Sequence, residues 1–136
     1  RRQWNLVDNH ELCYHYLGDF DNAMLKTIKS EKNFNKTPVV EIWHNDGDQV
    51  LAYMRGDLLF VFNFSPTRSF TDYGFLVPTG AYSVVLDTDN KAFGGNGLND
   101  DEMTHLTNYD PVYVNDRKEW LKLYLPARSA LVLKKN

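Results

Sequence analysis

The sequence predicts a mainly β chain: an antiparallel sandwich or barrel of about seven or eight strands, preceded by two short helices. Three observations carry that expectation. From Pro38 onward, short apolar runs alternate with turn residues at spacings suited to antiparallel strands. Aromatic residues make up 14% of the chain, which suits a β-rich fold and could equally supply platforms for sugar rings. Upstream the texture changes, because "DNHELCYHYLGDFDNAMLKTIKS" places Cys13, Tyr16 or Leu17, Phe20, Met24 and Ile28 at helical spacing.

In the helical segment, Asp8 followed by Glu11 resembles a capping box with Asp in the hydroxyl position. Gly18 before Asp19 is expected to divide the segment into two helices, with Cys13 in the core and helical structure fading near Asn33 to Thr37. Next, "PVVEIWH" and "QVLAYMR" flank "NDGD", a hairpin signal. The run Leu58 to Phe64, "LLFVFNF", reads as a strand buried on both faces that Pro66 ends, with Pro66 to Tyr73 a connecting loop. Asn63 inside it needs hydrogen-bond partners, because a buried unsatisfied amide costs on the order of 1 to 3 kcal/mol. "YGFLVP" and "AYSVVLD" add strands, and Thr88 to Asn115, with "FGGNGLNDDE", reads as one long loop. In "EWLKLYLP", Leu121, Leu123 and Leu125 should face the core, and Trp120, Lys122 and Tyr124 the opposite side. "SALVLKK" closes the set. Phe60, Phe62, Leu86, Leu123 and Leu131 are expected together in one core.

With 136 residues, 43% of them hydrophobic and 24% charged, the chain has the size and balance of one compact globular domain. A net charge of −3, with Lys and Arg scattered, gives no basic stripe to track a phosphate backbone, so nucleic acid is not expected as a partner. The single cysteine, Cys13, excludes an intramolecular disulfide and fits a reducing compartment, by default the cytoplasm. No signal stretch opens the chain, and no apolar run approaches the roughly 18 residues of a spanning helix. The opening "RRQW", without Met, suggests an excised or processed piece.

Chemical motifs are sparse. Asp87 and Asp89 invite a calcium reading, but Lys91, Ala92 and Leu98 stand at the fifth, sixth and twelfth positions where an EF-hand loop needs a ligand, Gly and Glu. No metal site is assigned. His10, His15, His44 and His105 form no pair at the i, i+4 spacing of helical zinc ligands. Ser65, Ser69, Ser83 and Ser129 lie in no nucleophile elbow, and "GGNG" lacks the Lys and Ser or Thr of a phosphate loop. No cofactor is expected. The face bearing Trp120, Lys122 and Tyr124, together with Trp43, suits either packing against another domain or stacking on sugar.

Several stretches together resemble one family: "RRQWNLVDNHELCYHYLGDFDNAM", "LLFVFNFSPTRSFTDY", "YSVVLDTD", "FGG" and "LYLPARSALVL". The chain is similar to the C-terminal end of the 1,4-α-glucan (glycogen) branching enzymes of the α-amylase superfamily. That resemblance implies that residues 1–34 are the helical tail of a catalytic β/α barrel and residues 35–136 an all-β sandwich of the α-amylase C-terminal type. It implies a parent enzyme that cuts an α-1,4 glucan through a covalent intermediate and transfers the cut chain to a 6-hydroxyl. Such a retaining mechanism needs two carboxyl groups about 5 to 5.5 Å apart. The family's catalytic motifs match nothing in this sequence, so Asp72, Asp87 and Asp89 are not catalytic candidates. The implied partners are the barrel of the same polypeptide and α-glucan. Without the barrel, self-association through the helical face of residues 8–28 is expected, by way of Phe20 and Met24.

Overall fold

The computed structural model describes residues 4–32, 34–109 and 118–136. Two helices come first, α1 (Trp4–Asp8) and α2 (Tyr14–Ser30), then a 3-10 turn at Phe34–Lys36. The strands are β1 (Val39–Asn45), β2 (Val50–Arg55), β3 (Leu58–Asn63), β4 (Phe70–Leu76), β5 (Ala81–Asp87), β6 (Thr104–Leu106), β7 (Asn108–Tyr109), β8 (Glu119–Leu125) and β9 (Ser129–Lys135). They form a six-stranded sheet in the order β1-β2-β3-β9-β5-β6 and a three-stranded sheet in the order β4-β8-β7, with every described pair antiparallel.

The helical break differs from expectation. Gly18 lies inside α2, and the chain breaks between Asp8 and Tyr14 instead. Asn9 is the cause: its Oδ1 accepts the Glu11 N–H at 3.0 Å and its carbonyl accepts Leu12 N–H at 3.1 Å, an Asx turn that competes with helix. Gly18 imposes only a propensity penalty of about 1 kcal/mol, which does not stop a packed helix. Asp8 therefore ends α1 rather than capping a helix, and Cys13, at the N-cap of α2, is exposed rather than core.

The expected long loop also needs correction, since β6 and β7 lie within it. β6 pairs with β5 (Ala81↔Leu106) and β7 with β8 (Tyr109↔Glu119). Both are short, and apart from the half-buried His105 both are exposed. Their ladders need only backbone groups, which any sequence supplies, so no apolar alternation announces them. The end of that expected loop, 110–115, and the first three residues of the chain lie outside the described residues. β4 likewise begins at Phe70, inside the stretch expected to be a loop, with Asp72 at φ 51 where its register with β8 shifts.

Between the sheets sits the main core: Val50, Ala52, Met54, Leu59, Val61, Leu131 and Leu133 from the larger sheet meet Phe75, Leu121, Leu123 and Leu125 from the smaller. The Leu face of β8 is therefore where alternation placed it. Phe60, Phe62 and Leu86 are not in this core. β3 is apolar on both faces, and its inward set is Leu59 and Val61, which turns Leu58, Phe60 and Phe62 outward. Leu58, Leu86 and Val132 form a second cluster on the outer face, with Phe20, Ala23 and Met24 of α2, Phe34 and Phe60 packed against it.

The hinge between strand and loop is Asn63, 2% exposed. Its Nδ2 donates to the carbonyls of Arg68 (2.9 Å), Leu125 (3.2 Å) and Pro126 (3.1 Å), and its Oδ1 accepts Ser65 N–H (3.0 Å). This buried amide ties the end of β3 to the β8–β9 turn, which is how the two sheets are locked at that end.

Candidate functional site

The outer face of the larger sheet carries a row of rings. Tyr53 stacks on Phe60 (4.9 Å between centroids) and on Phe62 (5.9 Å), and Phe62 stacks on Phe64 (5.5 Å). Phe34 continues the row beside Phe60, with the Arg55 guanidinium 4.4 Å above its ring. Arg55 Nε in turn donates to Thr37 O at 3.0 Å. In the sequence, this period-two run of aromatics reads as core. Its alternation, "LFVFNF", holds the signal for two different apolar faces.

Helix α2 covers only part of this face. Phe20 and Met24 point at it, and Glu31 at the helix end pairs with Lys134 of β9 at 2.7 Å. The β5–β6 loop adds Phe93, edge-on to Phe20 at 5.4 Å. Gly94 is needed there: its φ is 81°, and a Cβ would lie 2.9 Å from the Tyr16 ring. An apolar groove of about 420 Å³ remains between α2 and the sheet, lined by Met24, Ile28, Tyr53, Leu58, Phe60 and Phe62. No residue of α2 is fully buried, and Leu17 is 67% exposed.

The aromatic candidates from the sequence divide between two places. Trp43 lies on β1 next to a register shift, paired with Ala52, at the open edge between the sheets. It is 45% exposed, yet its indole is held: Nε1 donates to the Tyr73 hydroxyl (2.9 Å), which donates to Asp48 Oδ2 (3.0 Å). Arg68 Nη2 meets Asp48 Oδ1 at 3.4 Å and its Nη1 donates to Gly47 O at 3.3 Å, while its guanidinium stands 4.9 Å over Phe70. Burial raises the Tyr73 pKa, keeping the phenol a donor. Trp120, Lys122 and Tyr124 lie on the outer face of the smaller sheet, opposite Leu121, Leu123 and Leu125, with Trp120 and Tyr124 half-buried and Lys122 exposed. They do not share a site with Trp43.

Among the described residues, no group of three or more His, Cys, Asp or Glu side chains could hold a metal ion. His44 pairs with Glu41 on the hairpin, and burial lowers the His105 pKa. No described helix is long and apolar enough to cross a membrane.

Comparison with known proteins agrees with this architecture. Residues 42–136 match the family described as alpha amylase, C-terminal all-beta domain. The chain is 45% identical over 135 residues to a 1,4-alpha-glucan-branching enzyme of Emericella nidulans, covering 98% of this chain and 19% of that protein. It is 42% identical over 134 residues to one of Aspergillus oryzae and 39% over 136 residues to one of Rhizophagus irregularis, each with 98% of this chain and 19% of the relative covered. This chain thus spans about one fifth of the length of those relatives. A two-sheet antiparallel β-fold whose residues 42–136 match that family model has one assignment: the chain belongs to the family of α-amylase C-terminal all-β domains.

Proposed function

We propose that this chain is the non-catalytic C-terminal part of a 1,4-α-glucan branching enzyme and that it supports the catalytic barrel by offering it the outer face of the larger sheet. The observation that carries this reading is the aromatic row Phe34–Tyr53–Phe60–Phe62–Phe64 with its groove, an apolar face that α2 covers only in part. Apolar surface of that extent is unusual on a lone soluble domain, and water disfavours it by roughly 25 cal/mol per Å². The 19% coverage of the relatives supplies an occupant, the rest of a much longer chain. In this reading residues 1–34 are the barrel's helical tail and residues 35–136 the β domain, in the cytoplasm, where the exposed thiol of Cys13 stays reduced.

The isolated chain should then show no branching or hydrolytic activity by iodine staining or reducing-end assay. Activity lost on replacing an Asp within residues 1–136 would overturn the proposal. In the full-length parent, Phe62→Ser should lower the melting temperature of the whole enzyme and raise amide exchange in β3. Unchanged values would refute docking at this face. Without the barrel, the chain is expected to self-associate, and light scattering over a concentration series, against a chain beginning near Asn35, reads that directly.

A second reading, contact with α-glucan, is favoured by Trp43. An exposed indole held by a Tyr73–Asp48–Arg68 chain is an oriented apolar plate beside planar polar groups suited to paired hydroxyls. Titration with maltoheptaose should change Trp fluorescence in the native chain and leave Trp43→Ala silent. A response that survives in Trp43→Ala would move the contact to the Trp120 and Tyr124 face or elsewhere.

A further inference from the structure

The β5–β6 loop begins at a carboxyl group that is almost completely buried. Asp87, the last residue of β5, is 2% exposed. Its Oδ1 accepts the Asp89 N–H at 2.9 Å, but its Oδ2 has no hydrogen-bond donor among the described residues. Asp101, across the loop, has the same defect: Oδ2 accepts from Asn90 Nδ2 at 2.7 Å, whereas the buried Oδ1 has no donor. The two carboxyl groups line one and the same cavity, each with a buried oxygen that lacks a donor among the described residues. Two bare carboxylates cannot hydrogen-bond to each other, and a buried polar oxygen left unmatched is costly. A proton on one of them satisfies both at once.

We infer that Asp87 and Asp101 share a single proton, and that this proton latches the Asp87–Met103 loop in the form that seats α2. The surroundings fit a proton rather than a charge pair. The cavity of about 290 Å³ beside the pair is lined by Asp87, Asp101, Asn90 and Glu102 from β5 and the loop, by Phe93 from the 3-10 turn and by Ala23 from α2. None of these is basic. Asp89, next along the loop, already has its carboxylate committed to the N–H groups of Asn96 and Leu98, both at 3.0 Å. Desolvation first, then the bond to Asp101, pushes the Asp87 pKa up from 3.8 to about 7. When that proton leaves to solvent, two negative carboxylates face each other in a buried space.

The consequence reaches α2 through short links. Asn90, which holds Asp101, also caps the 3-10 turn by accepting Ala92 N–H at 2.8 Å. That turn carries Phe93 against Phe20 and Gly94 against Tyr16. Since the folded pKa lies above the unfolded one, the folded chain keeps a proton that the unfolded chain releases. The pair's contribution to stability is therefore fully present below pH 3.8 and lost as pH rises towards about 7.

Carboxyl carbon-13 NMR of the 136-residue chain from about pH 4 to pH 8 tests this, paired with amide exchange of the loop and of α2. Expected is one aspartate titration near pH 7, absent in both Asp87→Asn and Asp101→Asn, with protection of the loop and α2, taken relative to the intrinsic exchange rate at each pH, falling from about pH 4 towards pH 7 only in the native chain. Asn at either position keeps the shape and donates permanently, so both variants should stay folded and lose the pH dependence. If every aspartate titrates below about pH 5, there is no shared proton. If added Ca²⁺ or Mg²⁺ moves the Asp87 or Asp101 resonance at neutral pH, a cation fills the site and the proposal fails.

Discussion

Asn63 is the position where one substitution should separate hydrogen-bond topology from packing. In Asn63→Ala, the carbonyls of Arg68, Leu125 and Pro126 lose their donor and Ser65 N–H its acceptor. Each stranded buried group costs roughly 1 to 3 kcal/mol, but the three carbonyls share one NH₂ group, so the sum is well below four full penalties. A total of about 3 to 5 kcal/mol is the expectation, large against the 5 to 15 kcal/mol that hold an ordinary domain together. Asn63→Asp has the same shape but, when ionised, aims an acceptor at three carbonyl oxygens. Its carboxyl must then be held protonated, with its pKa raised. A raised carboxyl pKa means stability lost as pH rises above the unfolded value of about 3.9. Relative to the native chain at the same pH, Asn63→Asp should therefore be mild near pH 4 and severe near pH 7.5, whereas Asn63→Ala should cost about the same at both. Urea unfolding followed by circular dichroism at the two pH values measures the difference. Equal pH response in the two variants, or a cost under about 1 kcal/mol for Asn63→Ala, would refute the reasoning.

Other expectations follow from the two apolar faces and the loop. Leu59→Ala, in the core between the sheets, should cost roughly 2 to 5 kcal/mol, whereas Phe62→Ala, on the half-covered outer face, should cost the isolated chain only about 1 kcal/mol. Equal losses by thermal or urea melting would mean that the outer row is core after all. Gly95→Ala should disrupt the loop, because its Cβ would fall 2.2 Å from the Asp89 carbonyl carbon and oxygen. The readout is loss of amide protection at Asn96 and Leu98. Tyr82→Phe removes a 2.7 Å bond to Pro78 O from a fully buried ring and should cost roughly 1 kcal/mol on melting.

Much of the architecture is legible in the sequence because side-chain alternation is a local property. β8 illustrates it: Leu121, Leu123 and Leu125 occupy one face in any extended chain, and any second sheet will bury that face. The hairpin of β1 and β2 is legible for the same reason, since "NDGD" supplies turn chemistry between two apolar runs and Asn45 Oδ1 receives Asp48 N–H at 2.9 Å. β6 and β7 were illegible because their pairing uses backbone groups alone. The break before α2 was misread because Gly is a mark of cost, whereas the Asx turn at Asn9 is a competing structure.

The sequence by itself determined the class of fold, the strands with two apolar faces and the kinship with α-amylase C-terminal domains, because period, turn residues and order along the chain are all linear information. Only the tertiary structure decided which face of β3 became the inner core, that Trp43 joins Tyr73, Asp48 and Arg68, and that Asp87 and Asp101 line one cavity. Each of those depends on residues distant in sequence being brought together. Leu59 and Phe60 are equally apolar, so hydrophobicity leaves their direction open, and the register with β2 and β9 settles it.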